Sequence, residues 1–288
     1  KTEVAKHRDD RIDRGQIEFL LRRVEREGRP LLGGRSFDGL VIRLSVDLEE
    51  QQRVARIIDQ YVTELAKEKQ IEEGLEGAAI VIENSTGNLL LSVGSRDFYT
   101  SEYDRSVDMK RPPGSAFFPF VYAAAFESGK LAPTSLVLDA PVDNRKMMLG
   151  GTTRGILGEW STENPANRWE GLIPASTALR LSKNSPTARV GSILGSEGLT
   201  AFASRLGIAS PLRALPSSFL GASEVSLLEM ANGYAVLANR GKSQPRATDL
   251  IRHILDDAGG SVALGADETA EQLISEETVD AITEALGT

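Results

Sequence analysis

Apolar and polar positions along this chain change period several times, and each change marks an element. Within the charged stretch 1–35, Ile17, Leu20, Leu21 and Val24 recur at helical spacing and predict one amphipathic helix, ended by the Gly28 to Gly34 region with Pro30. Leu40 to Val46 is rich in branched residues and reads as a β-strand. Asp47 is placed to cap a second helix, whose buried side would use Leu48, Val54, Ile57, Ile58, Tyr61 and Leu65. Two apolar runs, 77–82 and 89–94, flank Asn84-Ser85-Thr86-Gly87-Asn88 and predict a β-hairpin. A largely apolar helix follows Ser115 and ends at Gly129-Lys130-Leu131-Ala132-Pro133. Residues 139–175, with much Gly, Pro and Asn and both tryptophans (Trp160 and Trp169), read as long loops. From Ser176 to Asn239 the pattern is mostly helical. A hairpin over 251–264 turning at Gly259-Gly260, and a helix over 276–286, complete the chain.

Composition narrows the chemistry. The 288 residues are 41% hydrophobic and 26% charged, enough for a sizeable core. With 33 basic and 41 acidic side chains the net charge is -8, which argues against a nucleic-acid partner. There is no cysteine, so disulfides and thiolate metal sites are excluded. His7 and His253 are the only histidines, and neither lies near a serine or carboxylate motif. A Ser-His-Asp triad or a histidine metal centre therefore has no material, and no metal or cofactor is expected. No run of 18 apolar residues occurs, so no bilayer-spanning segment is predicted. The start at Lys1, inside a charged stretch, suggests an excerpt of a longer protein.

The candidate chemistry centres on Gly114-Ser115. A glycine before a serine that opens a helix frames an exposed nucleophile, and in a Ser-x-x-Lys arrangement the lysine one turn on takes its proton. Here that position is Phe118, which can neither accept a proton nor donate a hydrogen bond. Ser115 alone reads equally as a helix-capping residue. A second element is Ser182-Lys183-Asn184, preceded by Ala178-Leu179-Arg180.

Arg111 to Ala125, with its Arg-x-Pro-Gly-Ser-x-Phe-x-Pro-Phe-x-Tyr pattern, closely resembles the active-site helix of class A penicillin-binding proteins, which are bifunctional peptidoglycan synthases. Other segments resemble the family in the same order. Asp47 and Gln51-Gln52 resemble the segment joining its two catalytic domains. Glu163-Asn164-Pro165 resembles an element before its second motif, and Gly221 to Ser226 a later Leu-Gly-x-x-x-Val-Ser stretch. The resemblance implies an α/β (α+β) transpeptidase fold like that of serine β-lactamases, an antiparallel sheet with helices on both sides, incomplete at the C-terminus. It implies a linker over 1–75 with a lead-in strand and helix, and a transpeptidase-like domain over 76–288.

By the same resemblance Ser115 is the nucleophile, Ser182 relays protons to the leaving group, and Asn184 orients the substrate amide. Phe118 is the degenerate position. Lys183 as a replacement base is disfavoured, because the central side chain of that motif points away from the site. The family's Lys-Thr-Gly motif does not occur; Gly241-Lys242-Ser243 comes nearest, and Lys242 reads as a surface residue. The implied partners are peptidoglycan stem peptides or cell-wall synthesis proteins, with β-lactam binding doubtful. The implied location is extracytoplasmic, tethered by a segment outside this chain. Two functional readings follow: an impaired module kept for binding or scaffolding, or an active serine D,D-transpeptidase acylated at Ser115. An α/β adaptor with incidental likeness is a third, against which the ordered succession of motifs argues.

Overall fold

The computed structural model describes residues 2–71, 74–142, 169–244, 250–263 and 269–287. The described residues sort into two units. One comprises 1–110, 226–235 and 243–271, the other 111–225, 236–242 and 272–288.

The first unit opens with α1, Thr2–Leu31. Its buried line is Ile12, Gln16, Phe19, Leu20 and Arg23, whereas Ile17 and Leu21 face solvent. The helix ends at Leu31, within the expected Gly28 to Gly34 region, with Gly28 and Pro30 in its last turn. Gly28 serves packing: a Cβ there would lie 2.9 Å from the Phe37 ring. Strand β1, Val41–Leu44, leads to α2, Leu48–Lys69, and the Asp47 carboxylate caps that helix by accepting the Glu50 N–H at 3.1 Å. The buried positions of α2 are Gln51, Ala55, Asp59 and Val62, while Leu48, Ile57 and Tyr61 are exposed. The apolar residues of both helices thus point to the wrong face at several positions, because buried polar side chains occupy the inner one.

Gln51, Asp59 and Arg23 are satisfied, whereas the buried Gln16 Nε2 has no partner among the described residues. Gln51 accepts the Ser92 N–H at 2.9 Å through Oε1 and donates to the Ser92 carbonyl at 3.0 Å through Nε2. Asp59 is clamped by Arg8 (2.7 Å) and by Arg96 (2.9 Å). Arg23 donates to Ser92 Oγ at 2.9 Å.

The expected hairpin is present as β2, Ala79–Ile82, and β3, Leu89–Val93, antiparallel with Ile80 opposite Ser92. Its turn uses Gly87 at φ +79, a left-handed conformation that glycine adopts without strain. Leu91 and Val93 pack with Ile12 and Ala55, and Leu89 with Leu20 and Leu250, so α1 and α2 are fastened to the hairpin. The predicted second hairpin is also present: β1 pairs with β6 (Ile251–Leu255), which pairs with β7 (Ser261–Ala263), all antiparallel. Leu264 lies outside the described residues. His253 is exposed on β6, and the side chain of His7 is outside the described set.

In the second unit a 3-10 turn, Gly114–Phe117, runs into α3, Phe118–Glu127. Every residue of α3 from Phe118 to Phe126 is buried, including Val121, Tyr122, Ala125 and Phe126. Strand β5 (Gly171–Pro174) lies in the 139–175 stretch read from sequence as loop, and β4 (Leu136–Asp139), which pairs with it, ends where that stretch begins. Both strands are short and only Val137 and Asp139 of β4 are buried, too brief an alternation to register against the glycines and prolines nearby. Trp160 and Glu163-Asn164-Pro165 lie outside the described residues. Helices α4 (Ala175–Arg180), α5 (Asn184–Leu194) and α6 (Ser196–Arg205) follow. The helical pattern continues in α7, Leu227–Ala238, of which 227–235 belong to the first unit. The last helix is α8, Glu276–Gly287. It is tied to the end of α3 by Glu127, whose carboxylate accepts the Ser275 N–H at 3.1 Å and the Ser275 hydroxyl at 2.7 Å.

Antiparallel strands and helices are mixed as expected. Among the described residues the strands pair in small groups, and the hairpin is joined to the lead-in segment through Asp47 N–H, which donates to the Leu90 carbonyl at 2.9 Å.

Candidate active site

Pro112-Pro113 deliver the chain to Gly114, which sits at φ +58 and turns it into the 3-10 segment. Ser115 lies in that segment and is exposed. Its carbonyl accepts the Phe118 N–H. Its hydroxyl has no hydrogen-bond partner among the described residues, and neither the 3-10 turn nor α3 has a side-chain cap. The capping reading of Ser115 is therefore wrong. Pro119 at the start of α3 lacks the N–H that a cap would satisfy there.

Phe118 is 1% exposed, part of an apolar group with Phe117 and Phe120, whose rings meet edge-on at 5.6 Å. Its position one turn beyond Ser115 is thus taken up by the core.

Ser182 sits between α4 and α5 at φ +50, a left-handed conformation that costs a serine on the order of 1 kcal/mol. Bonds on both sides hold it there. The Ser182 N–H donates to Leu179 O at 2.9 Å and the Lys183 N–H to Ala178 O at 3.0 Å. The Lys183 carbonyl in turn accepts the Thr187 hydroxyl at 2.7 Å. Ser182 is exposed and Asn184, the first residue of α5, is half-buried.

Lys183 is committed elsewhere. Its Nζ lies 2.9 Å from Asp139 Oδ2, a carboxylate only 1% exposed at the end of β4, and 3.9 Å from Glu170. An ammonium held by a buried carboxylate has no free lone pair with which to take a serine's proton, and it points towards the β4–β5 ribbon.

Helices α3 and α5 pack together, and Tyr122 Oη meets Thr187 Oγ1 at 3.3 Å where they touch. Burial pushes the Tyr122 hydroxyl far above its ordinary range, so this contact is a neutral hydrogen bond. Ser115 precedes Tyr122 by about two turns, and Asn184 precedes Thr187 by about one.

Asp139, Thr187 and Gly221 carry structural roles here that the sequence reading missed. Gly221, at φ +70, accepts the Gly114 N–H at 3.1 Å through its carbonyl. Asp139 had no discernible signal, because its partner lies 44 residues away across a loop-like stretch. Lys242 is exposed, as expected. Among the described residues no cluster of His, Asp or Glu suits a metal ion. No described helix is long and apolar enough to cross a membrane. A cavity of about 430 Å³ beside Glu127, Leu131 and Thr278 is lined by none of the motif residues.

Residues 77–288 match the penicillin binding protein transpeptidase domain family. Penicillin-binding protein 1A of Rickettsia conorii is 33% identical over 216 residues, 73% of this chain but 26% of that protein. Penicillin-binding protein 2D of Bacillus subtilis is 33% identical over 75% of this chain and 30% of its own length. The chain therefore spans only about a quarter to a third of these relatives. The structure of penicillin-binding protein PonA1 from Mycobacterium tuberculosis aligns with a TM-score of 0.73, at 23% identity, over 94% of this chain and 69% of that one. With this fold and the ordered motifs above, the chain belongs to the penicillin-binding-protein transpeptidase family.

Proposed function

We propose that this chain is the linker and transpeptidase portion of a class A penicillin-binding protein that no longer transfers acyl groups and serves peptidoglycan assembly by binding or scaffolding. One observation carries the reading: Phe118, in the position of the family's general base, is fully buried, and the Ser115 hydroxyl has no partner among the described residues. A serine without a base is a poor nucleophile near neutral pH. Loss of a general base costs about 10²–10⁴ in rate, and more where groups act as a unit.

Residues 1–75 are the linker and 76–288 the transpeptidase-like domain, a division supported by the family match beginning at residue 77. Ser182 and Asn184 retain the relay and orienting positions of the second motif. They suit weak recognition of a stem-peptide amide rather than its cleavage. Cell-wall synthesis proteins are the other partners of this reading. The protein works outside the cytoplasm, in the periplasm or at the cell surface, tethered to the inner membrane by a segment not in this chain. The alternative is an active serine D,D-transpeptidase that cross-links stem peptides. The exposure of Ser115 in its glycine-framed turn favours it.

Intact-mass analysis after prolonged incubation with penicillin distinguishes them. The unmodified chain is expected to carry no adduct. A stoichiometric adduct that disappears in Ser115→Ala would overturn the inactive reading. An adduct confined to Phe118→Lys would show that one substitution silenced an otherwise complete site.

A further inference from the structure

We propose that Gly221 is a positioning residue for Ser115, acting through the backbone of Gly114. This rests on the reading of Ser115 as the family's nucleophile position. The two glycines meet back to back. The Gly114 N–H donates to the Gly221 carbonyl at 3.1 Å, and both residues are in the left-handed region, at φ +58 and φ +70. A Cβ built on Gly221 would lie 2.2 Å from Gly114 O, 2.7 Å from its N and 2.9 Å from its carbonyl carbon. These are backbone atoms, which cannot swing aside as a flexible side chain does. Any side chain at 221 displaces the peptide joining Gly114 to Ser115, and with it the origin of the 3-10 turn that presents the hydroxyl.

The contact is non-local in sequence and is held from both sides. Gly221 ends a second 3-10 turn, Pro216–Leu220, and its own N–H donates to Ser218 O at 3.1 Å. Gly191 of α5 lies against that turn as well, since a Cβ there would sit 2.1 Å from the Phe219 ring. The 216–221 turn is thus seated on α5, the helix that Asn184 opens, and reaches across to the turn that carries Ser115. It couples the first motif to the scaffold of the second.

The test uses the absence of native cysteine. Ser115→Cys places a single thiol at the turn, and its maleimide labelling rate reads the exposure and setting of residue 115 without requiring catalysis. Adding Gly221→Ala is expected to change that rate by about tenfold, the effect of a change of about one unit in the thiol's pKa when its setting at the helix start is altered. Gly241→Ala is the control. Gly241 sits at φ +78 with an equally severe clash, 2.3 Å from Ile274 O, and is expected to leave the rate unchanged in the folded protein. Equal changes in both variants, or none in either, overturn the proposal. If Gly221→Ala does not fold, amide exchange in the unmodified chain decides. The Gly114 N–H should exchange about a hundredfold more slowly than an open amide. An unprotected Gly114 overturns the coupling. Penicillin labelling is read separately, so an inert Ser115 does not affect this outcome.

Discussion

Replacing Lys183 by methionine isolates the ion pair behind the second motif. Lys183 is 17% exposed at its side chain and Asp139 1%, with 2.9 Å between Nζ and Oδ2. Once the ammonium is gone, Asp139 Oδ2 still accepts the Glu170 N–H at 3.1 Å. Breaking a buried pair by removing one partner costs about 3–5 kcal/mol, because a desolvated charge is left behind. The partial exposure of Lys183 admits some water, so the lower end, about 3 kcal/mol, is expected. At about 2–4 °C per kcal/mol for a domain of this size, the midpoint should fall by roughly 6–12 °C. Lys183→Met with Asp139→Leu removes both charges and should recover most of that loss, to within about 1 kcal/mol of the unmodified chain. Urea unfolding at pH 7 followed by circular dichroism measures the two free-energy differences, and thermal melts measure the fall in midpoint. A single variant within 1 kcal/mol of the parent would refute the reasoning, since the pair would then behave as a surface contact. A double variant no better than the single would refute it too.

Two further outcomes are expected. Burial pushes the Asp59 carboxyl up, but the hydrogen bonds and charges of Arg8 and Arg96 outweigh it and hold its pKa below the usual carboxylate range. A depressed folded-state pKa contributes stability above the unfolded value near ~4 that is lost as pH falls through the folded one. Asp59→Asn should therefore be less stable at pH 7 and lose less between pH 5 and 2; an unchanged acid limb in thermal melts would count against the clamp. Ser115→Cys with Ser182→Cys should be joined within one chain by a short bifunctional maleimide. Full labelling of both thiols without a link would count against placing Ser115 and Ser182 as nucleophile and relay of one site.

Much of the fold was legible because several elements are locally self-consistent. The 77–94 hairpin has two apolar runs around a turn with glycine at the one left-handed position, and Asp47 caps the helix it precedes. The inner faces of α1 and α2 were not legible, because Gln16, Arg23, Gln51 and Asp59 are buried through partners far away in sequence. Periodicity assigns such residues to solvent. The candidate site divides in the same way. Ser115, Phe118, Ser182 and Asn184 lie in short ordered motifs, whereas Asp139 and Gly221 act through contacts that only the folded chain creates. The end of α1 was legible as well, since Gly28, Pro30 and the glycines at 33 and 34 close it at Leu31.

The pair of hydrogen bonds between Gln51 and Ser92 does more than fasten a helix. Ser92 sits opposite Ile80 with its N–H and carbonyl turned away from β2, as is the Leu90 carbonyl that accepts the Asp47 N–H. Together these groups form the outer rim of β3, the row an approaching strand would use to extend the ladder. A carboxamide supplies one donor and one acceptor in the spacing of a peptide group, so Gln51 imitates a strand residue without leaving its helix. The rim is thereby covered at Ser92 and at the Leu90 carbonyl by residues 47–51, which hinders edge-to-edge association of two copies along that part of β3.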